Sequence, residues 1–265
     1  MRVTEVGGSR TARSHPWIEK ALRWVFPRPC LGCDRLVEEG TGSLSLCARC
    51  RGKLLRLRGP RCPGCARALR GYRIPADYRC GRCRLSPPTY DRLIARWQFA
   101  PPLDAVIHGL KFERLDFLGR ALGRELAGCL AATSLQVDCV TWVPLHWRRH
   151  LQRGYNQAEI IARSLSRCLD LPTRRLLTRH RATATQTGLS RSDRRRNLTG
   201  AMRPRYRLQL ASGHVLVVDD VFTTGSTLEA AATSLKAAGA GEITVATAAR
   251  TPDPGEIRRQ KTVIW

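Results

Sequence analysis

The segment from Val215 to Thr227 constrains the fold of this 265-residue chain more than any other. It runs V-L-V-V-D-D-V-F-T-T-G-S-T, with four apolar residues, an acidic pair and a Thr/Gly/Ser loop. A continuous apolar run predicts a strand that is buried on both faces, as in a parallel sheet. The alanine-rich stretch from Leu228 to Ala238 predicts a helix, which Ser226 or Thr227 would cap. The segment therefore predicts a strand–loop–helix unit of an α/β domain.

The acidic pair, Asp219 and Asp220, and the loop that follows it have complementary chemistry. The loop offers backbone N–H groups and the positive end of a helix, which suit a phosphate. Two carboxylates repel phosphate but suit ribose hydroxyls or a Mg²⁺-linked group. Together they predict a sugar-phosphate site, and the alternative is a structural turn with two solvated acids. A Walker-type loop is excluded because no G-x-x-x-x-G-K is present.

Four C-x-x-C pairs contain eight of the 11 cysteines. With no export signal expected, this spacing predicts zinc knuckles rather than disulfides. Two such pairs complete a tetrahedral Cys₄ site, which leaves no open position for catalysis. Sequential pairing predicts two structural zinc ions, although crossed pairing would fit the same spacing. The predicted ligands are Cys30, Cys33, Cys47 and Cys50 for one ion, and Cys62, Cys65, Cys80 and Cys83 for the other.

The chain carries 46 basic and 21 acidic residues, a formal net charge of +25. Such an excess favours polyanionic partners, namely nucleic acid, phosphorylated ligands or anionic lipid. The stretch from Arg179 to Arg207 holds nine arginines and one acid, Asp193, and it is long for a connector. It predicts a lid that closes over pyrophosphate, since guanidinium groups bind phosphate in a bidentate manner. The alternative is a solvated basic loop.

Strands and helices alternate from Tyr90 onward, which predicts a mostly parallel sheet flanked by helices. The carboxyl ends of such strands gather ligands. The predicted strands are Leu93 to Gln98, Val137 to Val143, Val215 to Val218 and Ile243 to Ala248, and the predicted helices before the acidic pair are Leu103 to Leu110, Leu115 to Ala132 and Gln157 to Leu169.

No segment has the length of a membrane span. The longest charge-free apolar run, from Leu126 to Val137, falls short of the ~20 residues that a spanning helix needs. The stretch from Trp17 to Phe26 predicts a short amphipathic helix. We expect it to dock on the body of the protein, with a membrane or partner contact as the alternative.

The order of motifs resembles the ComF family. The cysteine-rich head is followed by L-K-F, by V-P-L-x-x-x-R-x-x-x-R-G-Y-N-Q and by R-A-T-A-T-Q-T-G-L-S-R-S-D-R-R-R-N-L. The last motif, Val215 to Thr227, resembles the phosphoribosyl pyrophosphate (PRPP) signature of type I phosphoribosyltransferases over all 13 residues. The resemblance covers roughly Pro29 to Arg250. It implies a type I phosphoribosyltransferase-like α/β fold with a small N-terminal double zinc ribbon.

The resemblance also implies roles for individual residues. The acidic pair would hold the ribose hydroxyls, with Mg²⁺ between the ribose and pyrophosphate oxygens. The implied ligands of the 5′-phosphate are Thr223, Thr224, Gly225, Ser226 and Thr227. The implied pyrophosphate loop and its neighbours are Pro144, Leu145, His146, Arg148, Arg149, Arg153, Asn156, Gln157 and Lys111. The residues that match the family's flexible loop are Arg181, Thr185, Gln186, Arg194 and Asn197, of which Arg181 and Arg194 would join the acidic pair in catalysis.

Members of the family are implicated in natural competence, the uptake of single-stranded DNA. The resemblance thus implies a cytoplasmic protein that binds PRPP and single-stranded DNA, with the uptake machinery at the inner membrane as a further partner. Transfer at ribose C1 is favoured, but no residue indicates a general base. The alternatives are nucleobase salvage and PRPP sensing without catalysis. The expected organisation is an arm and short helix over 1–27, the ribbons over 28–88, the phosphoribosyltransferase-like domain over 89–252 and a tail over 253–265.

Overall fold

The computed structural model describes residues 29–37, 44–71, 73–180, 201–205, 213–253 and 256. The helix predicted from Trp17 to Phe26 lies outside these residues. So do Arg181, Thr185, Gln186, Arg194 and Asn197 of the predicted flexible loop.

A four-stranded parallel sheet forms the centre of the fold, in the order β1–β6–β5–β2, and a short antiparallel pair, β3–β4, lies beside it. The predicted parallel sheet is confirmed. The strands are β1 Arg92–Gln98, β2 Cys139–Trp142, β3 Leu177–Arg179, β4 Met202–Pro204, β5 Val215–Phe222 and β6 Ile243–Arg250.

Strand β5 is longer than predicted, because it continues through the acidic pair to Phe222. Its pairing with β6 extends past the apolar run, so that Asp219 lies beside Thr247 and Phe222 beside Arg250. The acids therefore project from the last residues of a paired strand rather than from a loop.

Helices flank the sheet, and the predicted ones are present. The helix from Gln157 to Leu169 has the predicted bounds, and the others have shifted ends. The helices are α1 Ala48–Gly52, α2 Gly81–Leu85, α3 Leu103–Phe112, α4 Phe117–Ala131, α5 Trp147–Arg153, α6 Gln157–Leu169 and α7 Ser226–Ala237. The cap predicted for α7 is wrong. Gly225 is its N-cap with φ +82°, a conformation that glycine adopts freely, and Ser226 is already helical.

Helix α5 was not predicted, since the sequence indicated only a turn after β2. His146 starts this helix by accepting the Arg148 N–H at Nδ1, 3.4 Å away, and Gly154 ends it in the left-handed conformation. Arg148 and Arg149 therefore lie on a helix rather than on the predicted pyrophosphate loop. That loop is reduced to Pro144, Leu145 and His146.

The cysteine-rich head packs on both faces of the sheet. Cys30, Leu44, Leu46 and Cys50 join the core formed with α3, α4 and α6. The second group of cysteines joins the core on the other face, with Tyr90, Leu93 and Phe222. The ribbons therefore supply part of the hydrophobic core of the α/β fold.

Both edges of the sheet are covered by backbone. At the β1 edge, Gln98 N–H donates to Leu55 O (2.8 Å), and Leu93 N–H donates to Pro63 O (2.7 Å). At the β2 edge, Val140 N–H donates to Pro172 O (2.9 Å) and its carbonyl accepts the Arg174 N–H. Among the residues that the structure describes, no helix has the length and apolar character needed to cross a bilayer.

Close packing of α4 on α6 depends on Gly123. A Cβ at this position would lie 2.5 Å from Ile161 O and 2.6 Å from Cβ of Ser164. We predict that Gly123→Ala lowers the free energy of unfolding by about 1–3 kcal/mol, because the helices must separate. Gly128 on the same helix has nothing within 4 Å of such a Cβ.

The matched control, Gly128→Ala, should instead raise stability by up to about 1 kcal/mol through helix propensity. Urea denaturation of both variants measures the difference. Equal stabilities would contradict the close contact between the two helices.

Candidate functional site

The acidic pair lies at the carboxyl end of β5, beside the end of α3. Asp220 is buried, and its Oδ2 is 3.0 Å from Nζ of Lys111. The Asp220 N–H donates to Oδ1 of Asp219, 2.9 Å away. The fold thus brings together the L-K-F motif and the acidic pair, which are more than 100 residues apart in the chain.

Burial and mutual repulsion make it unfavourable for both adjacent carboxylates to be charged at the same time. Burial, followed by the negative charge of Asp220, raises the pKa of Asp219 to about 7, while Lys111 and Arg179 oppose the rise. The folded protein therefore holds this proton more tightly than the unfolded chain does. The resulting contribution to stability is complete below the ordinary value of 3.8 and is lost as the pH rises to about 7.

Arg153 and Gln157 of the R-G-Y-N-Q motif lie next to this pair. The Arg153 guanidinium lies 5.1 Å from the Phe112 ring centroid, and its Nη1 donates to Oε1 of Gln157 (3.1 Å). Burial lowers the pKa of Arg153, and the charge of Asp220 opposes that shift. Gln157 is itself buried, and its Nε2 has no hydrogen-bond acceptor among the described residues.

The loop after β2 is held by side chains that were predicted to bind ligand. Asn156 caps α6 by accepting the Ala158 N–H (3.0 Å), and its Nδ2 donates to Val143 O (3.0 Å). Both ends of its amide are therefore engaged within the protein. His146 caps α5, as described above. In this structure the two residues position Pro144 and Leu145, while Arg148 is exposed and Arg149 half-buried.

Arginines surround the His146 imidazole. Burial lowers the pKa of His146, and the charges of Arg179, Arg148 and Arg149 lower it further, so the imidazole is neutral near pH 7. Burial also lowers the pKa of Arg179; Arg149 adds to this shift and Asp219 opposes it. Arg179 therefore lies near both the acidic pair and Arg149.

Sequence reasoning did not single out Arg179 as a site residue. It was assigned to a basic lid, yet it ends strand β3. The available signal was its position directly after two apolar residues and a threonine, a pattern typical of a short strand end. A cleft of about 520 Å³ is lined by Arg179, Pro144, Leu145 and Asn156, among others.

The Thr/Gly/Ser loop encloses the start of α7. Oγ1 of Thr224 is 2.8 Å from Oγ of Ser226, and Ser226 N–H donates to the same Thr224 oxygen (3.4 Å). The helix start has no side-chain cap, so its N–H groups suit an anion. Thr223 is exposed and Thr227 half-buried. A cleft of about 460 Å³ is lined by this loop together with Arg82 and Tyr90.

The eight paired cysteines form two tetrads in sequential order. Within each tetrad the sulfur atoms all lie within 4.8 Å of one another, which agrees with sequential and not crossed pairing. Cys33 and Cys47 sulfurs are 3.7 Å apart, close to the ~3.8 Å expected for thiolates around one zinc ion. The tetrads fit structural zinc. Their members are Cys30, Cys33, Cys47 and Cys50, and Cys62, Cys65, Cys80 and Cys83.

The second tetrad is tied to the end of β6. The buried Arg250 donates from Nε to Cys65 O (2.6 Å), and its Nη2 lies 2.8 Å from Oε2 of Glu256. Asp253 pairs with Arg67 and also lies near Arg82 (3.4 Å). Tyr90 adds a hydrogen bond from its hydroxyl to Gly64 O (2.8 Å).

Comparison with known proteins agrees with this architecture. The chain matches the double zinc ribbon domain over residues 21–84 and the phosphoribosyl transferase domain over residues 151–263. It is 39% identical to DNA utilization protein YhgH of Escherichia coli (strain K12) over 216 residues, which covers 76% of this chain and 94% of that protein. The chain belongs to the ComF family.

Two further ComF-family relatives carry competence names. Competence protein F of Haemophilus influenzae is 32% identical over 75% of this chain and 94% of that protein. Competence protein ComFC of Bacillus subtilis is 25% identical over 72% of this chain and 77% of that protein. A solved purine phosphoribosyltransferase from Pyrococcus horikoshii shares 18% identity over 60% of this chain and 87% of that chain, with a TM-score of 0.32.

We predict that the purified protein contains two zinc ions per chain. Cys62→Ser should leave about one, because three thiolates bind zinc less tightly than four. It should also lower stability more than Cys33→Ser, since Cys62 is buried and Cys33 exposed.

Elemental analysis and thermal unfolding measure both effects. Cys168→Ser is the matched control, because this exposed cysteine belongs to neither tetrad. Two zinc ions retained in Cys62→Ser would contradict the assignment.

Proposed function

We propose that this ComF-family protein binds PRPP with Mg²⁺ and acts in the uptake or processing of single-stranded DNA during natural transformation. The observation that carries the proposal is the meeting of two segments that are distant in the chain, the L-K-F motif and the segment from Val215 to Thr227. Lys111, the acidic pair and the Thr/Gly/Ser loop all meet at the carboxyl ends of parallel strands. The names of the relatives, DNA utilization protein and competence protein, support the second half of the proposal.

The acidic pair would hold the ribose and the metal. Carboxylates accept hydrogen bonds from the ribose 2′- and 3′-hydroxyls, while Lys111 neutralises part of their charge. Hard oxygen ligands also suit Mg²⁺, which Asp219 and Asp220 would bind directly or through water. When bound, Mg²⁺ supplies positive charge that lowers the free-energy cost of the negative charge developing on the departing pyrophosphate.

The arginines near the loop after β2 would stabilise the leaving group. In transfer, the bond between ribose C1 and the pyrophosphate oxygen breaks, and pyrophosphate leaves with the electron pair. An acceptor nucleophile bonds to C1 in its place. Arg179 lies near Arg149 and Asp219, and the guanidinium groups of Arg149 and Arg179 would stabilise the developing charge. Arg181 and Arg194 remain our candidates for further catalytic arginines.

Binding of PRPP without transfer would use the same site. A PRPP-sensing protein and a transferase differ only in whether pyrophosphate is released in the presence of an acceptor. Incubation with PRPP, Mg²⁺ and a nucleobase panel therefore separates the two, and it also tests the salvage alternative. We favour a cytoplasmic location, with contact to the uptake machinery at the inner membrane as the alternative. The +25 charge suits a polyanionic partner such as DNA.

We predict that Asp219→Asn/Asp220→Asn weakens PRPP binding at least about tenfold. Each amide replaces a charged acceptor, and hydrogen bonds to charged groups contribute about 1.5–3 kcal/mol. Isothermal titration calorimetry with Mg²⁺ present measures the change. Asp116→Asn is the control, because the carboxylate of this half-buried residue pairs with Arg120 rather than with Lys111. Unchanged affinity in the double variant would remove the proposed ribose site.

The same titration should depend on pH. Because the pKa of Asp219 is raised to about 7, its carboxylate fraction grows as the pH rises through neutrality. PRPP affinity should therefore increase between about pH 6 and pH 8, and less so in Asp219→Asn. The ligand's own phosphate titration is common to both proteins and cancels in the comparison.

We predict that single-stranded DNA binds with a steep salt dependence. In a plot of the logarithm of affinity against the logarithm of salt concentration, each neutralised phosphate makes the slope more negative by about 0.7. Changing Arg194, Arg195 and Arg196 to Ala should weaken binding and reduce the slope. Arg120, Arg124 and Arg167, exposed on α4 and α6, provide a control with the same loss of charge.

Fluorescence anisotropy with and without PRPP is the measurement. Competition between the ligands is expected if they share the basic surface. A flat salt response, or equal losses in the two triple variants, would show that the stretch between β3 and β4 does not contact DNA.

A further inference from the structure

The connector between the second zinc ribbon and strand β1, residues 86–91, runs alongside helix α7. Thr89 binds Glu229 in the first turn of that helix. Its N–H lies 3.1 Å from both carboxylate oxygens, and its hydroxyl donates to Oε1 over 2.6 Å. In the last turn of the helix, Nζ of Lys236 lies 3.3 Å from Oδ2 of Asp91. The connector therefore contacts both ends of α7.

Tyr90 joins the same connector to a zinc knuckle. Its side chain is buried, and its hydroxyl donates to Gly64 O (2.8 Å) in the turn between Cys62 and Cys65. A Cβ at Gly64 would lie 3.0 Å from Sγ of Cys83, so this turn also packs closely against the other cysteine pair. The Tyr90 hydroxyl is thus held by a segment whose conformation depends on bound zinc.

Tyr90 also lies against the Thr/Gly/Ser loop. A Cβ at Gly225 would be 3.6 Å from the Tyr90 hydroxyl oxygen and 2.8 Å from the Phe222 ring. The Glu229 N–H donates to Gly225 O (2.8 Å), so the residue that Thr89 binds also closes the first turn of α7. The backbone of the loop is therefore held between the connector and the end of β5.

Phosphate binding at such a loop depends on the direction of its backbone N–H groups. We infer that the second zinc ribbon positions the Thr/Gly/Ser loop for phosphate, through Thr89, Tyr90 and Glu229. These three are positioning residues, because their hydrogen bonds are made to other groups of the protein. This role deepens the proposed function and rests on it, since the loop is the proposed ligand of the 5′-phosphate.

The charge of Glu229 provides a competing explanation with the opposite sign. Glu229 and Arg82 both line the cleft beside the loop. If Glu229 acted on the ligand only through its charge, its removal would strengthen phosphate binding, because a carboxylate repels an anion. If Glu229 positions the loop, the loss of its hydrogen bonds weakens phosphate binding.

The test compares Glu229→Ala and Glu229→Gln in the full-length, zinc-loaded protein, with ribose 5-phosphate as the probe. Glu229→Gln keeps an oxygen acceptor for Thr89 and should bind the probe at least as tightly as the original protein. Glu229→Ala has no acceptor, so affinity should fall about fivefold, which is within the usual range of coupling between two sites. Tighter binding in both variants, or a lower melting temperature with unchanged affinity in Glu229→Ala, would overturn the inference.

Thr89→Val removes the donor hydroxyl from the other side of the same contact and should also weaken binding of the probe. Thr133→Val is the matched control. Thr133 is half-buried like Thr89, and its hydroxyl donates to Leu130 O (2.7 Å) at the end of α4. Equal affinities in the two valine variants would contradict a role of the connector.

Hydrogen exchange tests the same link without a ligand. Amide exchange over residues 223–229 should be faster in Thr89→Val, and also in Cys62→Ser, which opens the second tetrad. Exchange over the same residues should be unchanged in Thr133→Val and in Cys30→Ser, which opens the first tetrad. Equal exchange in Cys62→Ser and Cys30→Ser, or in the two valine variants, would count against the inference.

The two readouts separate this role from the proposed function. A wild-type protein that binds neither ribose 5-phosphate nor PRPP would reject the sugar-phosphate site, while faster loop exchange in Thr89→Val would still support positioning by the ribbon. PRPP binding that is equally tight in the wild type, Glu229→Ala and Thr89→Val, with unchanged loop exchange, would do the reverse.

Discussion

The burial of Val215 to Val218 between two parallel neighbours is the constraint on which the rest of the structure depends. These residues have no exposed surface, and β5 pairs with β2 on one side and β6 on the other. A slip of one residue would reverse every side chain between the two faces of the sheet. The register therefore fixes the positions of Asp219 and Asp220 at the end of β5. It thereby also fixes the contact between Lys111 and Asp220 and the start of α7.

Local patterns explain which parts of the fold the sequence predicts. Continuous apolar runs identified the parallel strands, and C-x-x-C spacing identified the eight zinc ligands, because neighbouring residues alone decide these features. Which pairs share a tetrad depends on contacts between distant segments. Helix α5, the Gly225 cap and the position of Arg179 depend on contacts between distant segments. The cap, for example, follows from the Phe222 ring, which would lie 2.8 Å from any Cβ at position 225. The packing of the ribbons on the sheet could not be predicted from the sequence for the same reason.

The candidate site carries an electrostatic imbalance that a ligand would relieve. On one side, two carboxylates share a half-buried strand end, and the pKa of Asp219 is raised. On the other, the charges of Arg148, Arg149 and Arg179 all act on one imidazole. Lys111 offsets part of the negative charge, and perturbed pKa values of this kind concentrate at functional sites. A bound anion with an associated cation has the charge distribution that complements both sides.

The ribbons also protect the sheet. Strand β1 is an outer strand, and its outward N–H and C=O groups are taken up by backbone around Leu55 and Pro63, between and within the two zinc-binding segments. An uncovered strand of this kind is a template for pairing with other chains. We therefore expect the loss of zinc to uncover this edge of the sheet and to favour self-association through β1, even while the residues at the carboxyl ends of the strands remain in place.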